Sequence, residues 1–567
     1  MNNYDYNRRW LGGWGRPVRA ALAASCSFLT ATLLVLSATT TAFAQQTRAE
    51  RTSYTETSTH ADVVAFLDSL DRAFPGRMVR GEVGHSGGGR AIQFVVLSRP
   101  IVRTPAEARA SGKPIAYVQG NIHGGEVEGK EALQELMRDY LLLDRANVLD
   151  TIVLIAVPIY NGDGNDAMGP QERMRGSQNG PAMVGNRANG NQLDLNRDYI
   201  KIESPEARGS LAMFAAWDPD VFVDLHTTNG SYHGYGLTYS PSLHPAAMDG
   251  AIAPAGPWTR DTLLPELRNR MRTRRNVETF DYGNFVGAFS GRDDPTKLEK
   301  GGWETYEHKP RFGTNYYGLR NRVSVLAEAY SHDPFERRVA VTKAYVGELL
   351  SLISEQRATV LARTRRPVAA LAAAERPEVA IRATMTKTPF NALVLVEQLQ
   401  ATGDSVRYEA GLRPGFRRGE RFTPVMMPVW DRFDATLTRA LPEAWVLDGT
   451  QPKVVVEQLE AHGLTVTRLT EEWTGAGETF IVDSITKAAR PFQGHQEVSV
   501  EGRWRAGTIT LPAGALVVSA RQPLAVLGAI LLEPQSDDGL TTWNAFDDAL
   551  KVGAAHPVRR LLQPFPR

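Results

Sequence analysis

"PIAYVQGNIHGGEVEGKEALQELMRDYLL", residues 114–142, holds three signals in one stretch. Ile115 to Val118 is a short apolar run, a glycine-rich turn follows, and then Leu133, Leu136, Met137, Tyr140 and Leu141 recur at helical spacing. Strand, turn and helix in that order make the unit of an α/β layer. The turn itself carries His123 and Glu126, three positions apart. An imidazole and a carboxylate held together where a strand ends are the donor types of a zinc site. His-x-x-Glu is common by chance, so the rest of the chain must supply partners for it.

The sequence around this unit repeats its pattern. "HADVVAFLDSLDRAF" (60–74) reads as a helix behind Ser58 and Thr59 as caps, and "RMVRGEVGHSGGGRAIQFVVLS" (77–98) as a hairpin around a triple-glycine turn. "DTIVLIAVPIYNGDG" (150–164), "VFVDLHTTNG" (221–230) and "RVSVLAEAYSHD" (322–333) are apolar runs ending in turn or polar residues. Strands that are apolar throughout, separated by helices or long excursions, predict an α/β fold with a mixed, largely parallel sheet flanked by helices. "PFERRVAVTKAYVGELLSLISEQ" (334–356) predicts a long closing helix. An Ala/Arg-rich stretch follows it. These signals divide the chain into a catalytic domain over 55–358, a linker over 359–377 and a C-terminal α+β or mainly β accessory domain over 378–567, in which no chemistry is legible.

The first 44 residues have a basic start, an apolar centre and small residues at Ala42 and Ala44, which predicts a signal peptide and a mature chain beginning near Gln45. Export to the periplasm or the outside is the expectation, with no stable membrane anchor left after cleavage. The single cysteine, Cys26, lies inside that leader, so disulfides play no part in the mature chain. The remainder still exceeds the ~250 to 300 residues that one core usually holds. With 64 basic and 63 acidic residues there is no charge excess of the kind that marks nucleic-acid or membrane-surface binding.

Chemistry-bearing residues stand at the ends of the predicted strands. In open α/β sheets the ligand crevice lies beyond the carboxyl ends of the strands, so these groups are expected to converge. His123, Glu126 and His226 supply the two histidines and one carboxylate of a catalytic zinc, and Glu328 is then free to serve as a general base. Asn196 and Arg197 in "NQLDLNRDYIK" suit a bidentate grip on a carboxylate. Arg173 and Arg175 in "QERMRG" are candidates to stabilise an oxyanion. Glu128, beside the turn, is an alternative ligand if the turn is shifted, and His233 a second-site temptation near His226.

The order His-x-x-Glu, Asn-Arg, His, Glu resembles the zinc carboxypeptidases of the carboxypeptidase A type, over roughly residues 55–358. The resemblance implies one Zn²⁺ held by His123, Glu126 and His226, Glu328 as general base, and Asn196 and Arg197 on the C-terminal carboxylate of a peptide. It also implies an oxyanion arginine between the metal pair and Asn196, with Arg175 preferred over Arg173. A tyrosine should close over the substrate about twenty residues before the base, which favours Tyr306, with Tyr316 and Tyr317 in competition. The implied activity is a metallocarboxypeptidase acting on peptides. Two alternatives stand beside it: an amidase or endopeptidase on cell-wall peptides using the same zinc, and an inactive peptide- or carbohydrate-binding relative.

Overall fold

Eight strands make the central sheet: β1 (Val79–His85), β2 (Ala91–Leu97), β3 (Ile115–Gly120), β4 (Val153–Val157), β5 (Val221–Thr227), β6 (Leu237–Pro241), β7 (Thr279–Asp281) and β8 (Val323–Ala329). Their order across the sheet is β1-β2-β4-β3-β5-β8-β6-β7. The four central strands β4, β3, β5 and β8 run parallel, β1 and β2 pair antiparallel with their neighbours, and β6 pairs antiparallel with β8 and parallel with β7. The mixed, largely parallel α/β sheet expected from the sequence is therefore present. The structure, a computed structural model, describes residues 45–286, 301–365, 376–408, 412, 414–449 and 453–564. The leader expected over 1–44 lies outside the described residues.

The parallel strands can be apolar throughout because both faces of the sheet are covered. Side chains alternate across a strand, so Tyr117, Ile155 and Phe222 enter one core while Val118, Leu154 and Val223 enter the other. Helices α1 (His60–Ala73), α2 (Glu128–Leu142), α4 (Leu264–Arg275) and α5 (Phe335–Glu355) cover the second face, and α3 (Pro205–Trp217) packs on the first. Thr59 caps α1 by accepting from the Asp62 N–H, and Asp62 returns the bond to the Thr59 backbone.

The C-terminal half is β-rich. Strands β9 (Glu378–Lys387) and β12 (Val429–Ala440) join two short catalytic-half strands, Asn284–Val286 and Gly302–Glu304, in a four-stranded sheet. Strands β10 (Ala392–Ala401) and β11 (Phe416–Met427) form a two-stranded arm. A six-stranded sheet carries β13 (Ala444–Leu447), β14 (Thr467–Arg468), β15 (Trp473–Lys487), β16 (Val498–Leu511), β17 (Leu516–Ser519) and β18 (Ala555–Leu561). Residues Thr47–Arg567 form one compact unit; of the other unit, up to Gln46, only Gln45 and Gln46 are described. The first core runs on without interruption from Tyr117 and Phe214 to Trp445, Leu527 and Phe546. Of the stretch read as a linker, residues up to Thr364 belong to the helix Arg357–Thr364, and 366–375 lie outside the described residues.

Candidate metal centre and substrate cleft

The chain runs from β3 to β4 on one side of the sheet and then returns to β5 on the other side of β3. That reversal opens a crevice beyond the carboxyl ends of β3 and β5, and the metal turn occupies it. Asn121, the first residue after β3, has φ of 59°, a left-handed conformation that asparagine tolerates better than most residues. Its side-chain amide donates to the carbonyls of His123, Gly124 and Glu126 at 3.1 to 3.3 Å, so one residue ties the whole turn. The glycines are required by close approach: a Cβ on Gly124 would overlap the Gly164 carbonyl carbon, and one on Gly125 would lie 2.9 Å from the Gly185 oxygen.

The turn delivers both candidate ligands inward. His123 Nδ1 lies 3.0 Å from one Glu126 oxygen and His226 Nδ1 2.9 Å from the other. One donor atom from each of the three residues falls within 4.8 Å of the others, and all three residues are buried. The remaining ring nitrogens face carboxylates: His123 Nε2 is 3.1 Å from Asp194 Oδ1, and His226 Nε2 is 2.9 Å from Asp224 Oδ2. Metal-ligating histidines characteristically back their free nitrogen with a carboxylate, which orients the ring and sets its tautomer. Burial alone would raise the Glu126 carboxyl, but the charges of His123 and Arg175 hold it well below the usual carboxylate range. Burial works against charge on His226 too, yet the Asp224 and Glu126 carboxylates raise its pKa well above the usual value. Two imidazoles among the buried carboxylates of Glu126, Asp224 and Glu328, with the half-buried Asp194 beside them, make a site that favours a cation. The donor set fits zinc.

Glu328 sits in register with His226 on the neighbouring strand. It lines the same cavity, and its Oε2 is buried with no hydrogen-bond partner among the described residues. Burial pushes its carboxyl up to about 8. A cavity of about 100 Å³ extends from the triad and Glu328 to Arg187, Asn196 and Arg197. Its remaining wall, including Tyr282, Tyr306, Phe312, Thr314 and Leu326, carries no charge. Arg197 lies with its guanidinium carbon 3.8 Å from the Phe312 ring centre, and Asn196 Oδ1 accepts from the Gly313 N–H at 2.9 Å.

Other expectations land elsewhere. Arg175 does not line the cavity: it stands behind Glu126 at 3.1 Å and donates to the carbonyls of Thr227 and Thr228. Arg173 is exposed. Besides Arg197, the arginine that lines the cavity is Arg187, which donates to Asp194 at 2.9 Å and reaches His123 Nδ1 at 3.3 Å. Tyr306 lines the cavity, whereas Tyr317 is a core residue stacked on Phe214 at 4.0 Å and so cannot close over a substrate. Tyr316 is equally buried and bonded to His462. Glu128 pairs with Thr227 and Arg338 instead of the metal ligands, and His233 is buried among Tyr235, Tyr330 and Trp303. Arg187, Tyr282 and Asp224 are among the site residues that escaped the reading of the sequence. For Asp224 a signal existed, since Asp224 and His226 in "VDLH" are two apart on one strand and share a face.

Residues 63–229, from α1 to just past His226, match the family model described as zinc carboxypeptidase. Over this span the chain is similar to the zinc carboxypeptidase family. Among curated relatives, Carboxypeptidase 2 of Trichophyton equinum is 21% identical over 486 residues, covering 83% of this chain and 81% of its own. Carboxypeptidase 2 of Trichophyton rubrum is 21% identical over 491 residues, with 83% and 81% covered. A solved metallo-carboxypeptidase from Burkholderia cenocepacia aligns with 52% of this chain and 69% of its own at 16% identity and a TM-score of 0.37. The family match and the carboxypeptidase relatives support a metallocarboxypeptidase enzyme, hence a metallopeptidase and a hydrolase. The matched span contains the three candidate metal ligands and the Asn196-Arg197 pair, while Glu328 lies beyond it.

Proposed function

We propose that this enzyme removes single residues from the free carboxyl end of peptides. The observation that carries the reading is one buried cavity lined by the His123, Glu126 and His226 donors and Glu328 together with Asn196 and Arg197. His123, Glu126 and His226 would hold one zinc ion. When bound, zinc supplies Lewis acidity toward carbonyl and water oxygens in a site largely closed to solvent. Arg197 and Asn196 hold the substrate carboxylate, which fixes the last peptide bond in reach of the other groups. Arg187, not Arg175, faces the carbonyl oxygen and donates to it as negative charge develops there. Glu328 takes a proton from the attacking water and returns it to the departing amine; a carboxyl held near neutrality can trade a proton in both directions. The uncharged wall favours neutral C-terminal side chains. Export rests on the leader composition of residues 1–44 and is checked by sequencing the N-terminus of the mature protein, expected near Gln45.

The test of the carboxylate grip compares each peptide as its free acid and as its C-terminal amide. Arg197→Ala should cut kcat/KM on the free acid by about 10²-fold or more, the range for a lost charge-assisted bond in a buried site. It should change the slow turnover of the amide far less. Equal losses on both would remove Arg197 from carboxylate recognition.

A further inference from the structure

The segment that carries Phe312 has no regular structure of its own: residues 305–312 run irregularly from the short strand Gly302–Glu304 to the helix Gly313–Leu319. Such a connection is held in place by its partners or not at all. Here the partners come from the far end of the chain. Asp538, fully buried, accepts the Arg311 backbone N–H at 2.7 Å and Arg311 Nε at 2.8 Å. It also accepts the indole N–H of Trp543 at 3.0 Å, and three N–H donors on one buried carboxylate leave it little freedom. The Trp543 ring in turn faces two cations, Arg311 and Lys201, each 4.5 Å from its centre. Lys201 donates to the main-chain carbonyl of Arg197 at 2.7 Å.

Both arms of this clamp end in the cavity. One passes through Arg311 to its neighbour Phe312, whose ring lies against the Arg197 guanidinium; the other passes through Lys201 to the Arg197 backbone. We infer that Asp538 and Trp543 are positioning residues for the substrate carboxylate: the C-terminal half sets the placement of Arg197 and Phe312 and is a working part of the cleft. The inference rests on the carboxylate reading of Arg197 given above. It also gives the continuity of the first core a functional meaning, because a C-terminal half packed into the same core can hold a clamp to within fractions of an ångström.

The experiment is a double-mutant cycle on the full-length, zinc-loaded enzyme, with an N-blocked dipeptide as free acid and as amide. Asp538→Asn keeps the shape but loses the charge. It should raise KM for the free acid about tenfold, leave kcat within about threefold, and leave zinc content and the amide rate unchanged, as expected for lost ground-state positioning. In the Arg197→Ala background the same substitution should change kcat/KM by less than about twofold, because the clamp acts through Arg197. Trp543→Phe, which keeps an aromatic face but drops the indole donor, carries the same comparison with a smaller KM rise if Asp538→Asn does not fold. A folded Asp538→Asn or Trp543→Phe enzyme with wild-type KM, or effects that multiply with Arg197→Ala, would overturn the clamp alone. A wild-type preference for free acids in Arg197→Ala would overturn the carboxylate reading and the clamp with it.

Discussion

On the mechanism proposed above, Glu328 separates a hydrolase from a binding protein built on the same candidate ligands. Its neighbour across the strand pair is His226, and burial lifts its carboxyl into the range where it can gain and lose a proton during turnover. Glu328→Gln keeps size and hydrogen bonding while removing that exchange. Turnover should drop by the ~10² to 10⁴ of lost general catalysis, with zinc content and KM nearly unchanged. Steady-state kinetics with metal analysis checks both parts, and wild-type turnover would remove Glu328 from the proton path. At this scale the sequence was informative where a reactive residue ends an apolar run, as His226 and Glu328 do. It was silent on Arg187, which stands in the polar loop "GNRANG" where no periodicity marks a direction, and it misdirected toward Arg175, whose contacts with Glu126 and the Thr227 carbonyl only the fold reveals.

Among the elements, the turn 121–126 matters most, since it converts a strand end into two aligned candidate ligands. Its geometry depends on backbone meeting backbone: a Cβ on Gly124 would overlap the Gly164 carbonyl carbon, and no side-chain rotation can relieve that clash. Gly124→Ala should therefore displace the turn, cost about 1 to 3 kcal/mol of stability and weaken zinc retention. Thermal unfolding and zinc titration measure the two effects, and an unchanged midpoint with full zinc occupancy would show that the turn has slack. The strand-turn-helix order was readable from residues 114–142 because its periods change from 2 to 3.6 within one stretch. The short strands Asn284–Val286 and Gly302–Glu304 were not, being three residues each and completed by β12 from more than a hundred residues downstream.

Over the whole molecule, the two halves are joined by polar contacts as well as by a common core. His495 Nε2 lies 2.7 Å from Glu203 Oε1, linking the six-stranded-sheet region to the start of α3. The hydrogen bond to Glu203 raises the His495 pKa; burial works against the Glu203 charge, but the bond from His495 lowers its pKa overall. A raised histidine pKa stabilises below the unfolded value of about 6.5 and loses that contribution as pH climbs through the folded value. A lowered glutamate pKa stabilises above about 4.3 and loses its contribution as pH falls through the folded value. The difference in melting temperature between wild type and His495→Gln should therefore be largest at about pH 5 to 6 and shrink toward alkaline pH. Because the pair is partly exposed the gap is small, ~0.5 kcal/mol. A gap that stays constant or widens with pH would contradict the assignment. Contacts of this reach, like those of Asp538 and Trp543, are invisible in "LLEPQSDDGLTTWNAFDDAL" because the residues they meet are hundreds of positions away.

The most direct measurement is mass spectrometry of products from a synthetic peptide incubated with the purified, zinc-loaded chain, run as the free acid and as the C-terminal amide, with and without chelator. The expected result is a ladder that loses one residue at a time from the carboxyl end of the free acid, little or no ladder from the amide, and no products after chelation until zinc is restored. Fragments cut at internal bonds, formed equally from acid and amide, would contradict a C-terminal exopeptidase built on this cleft.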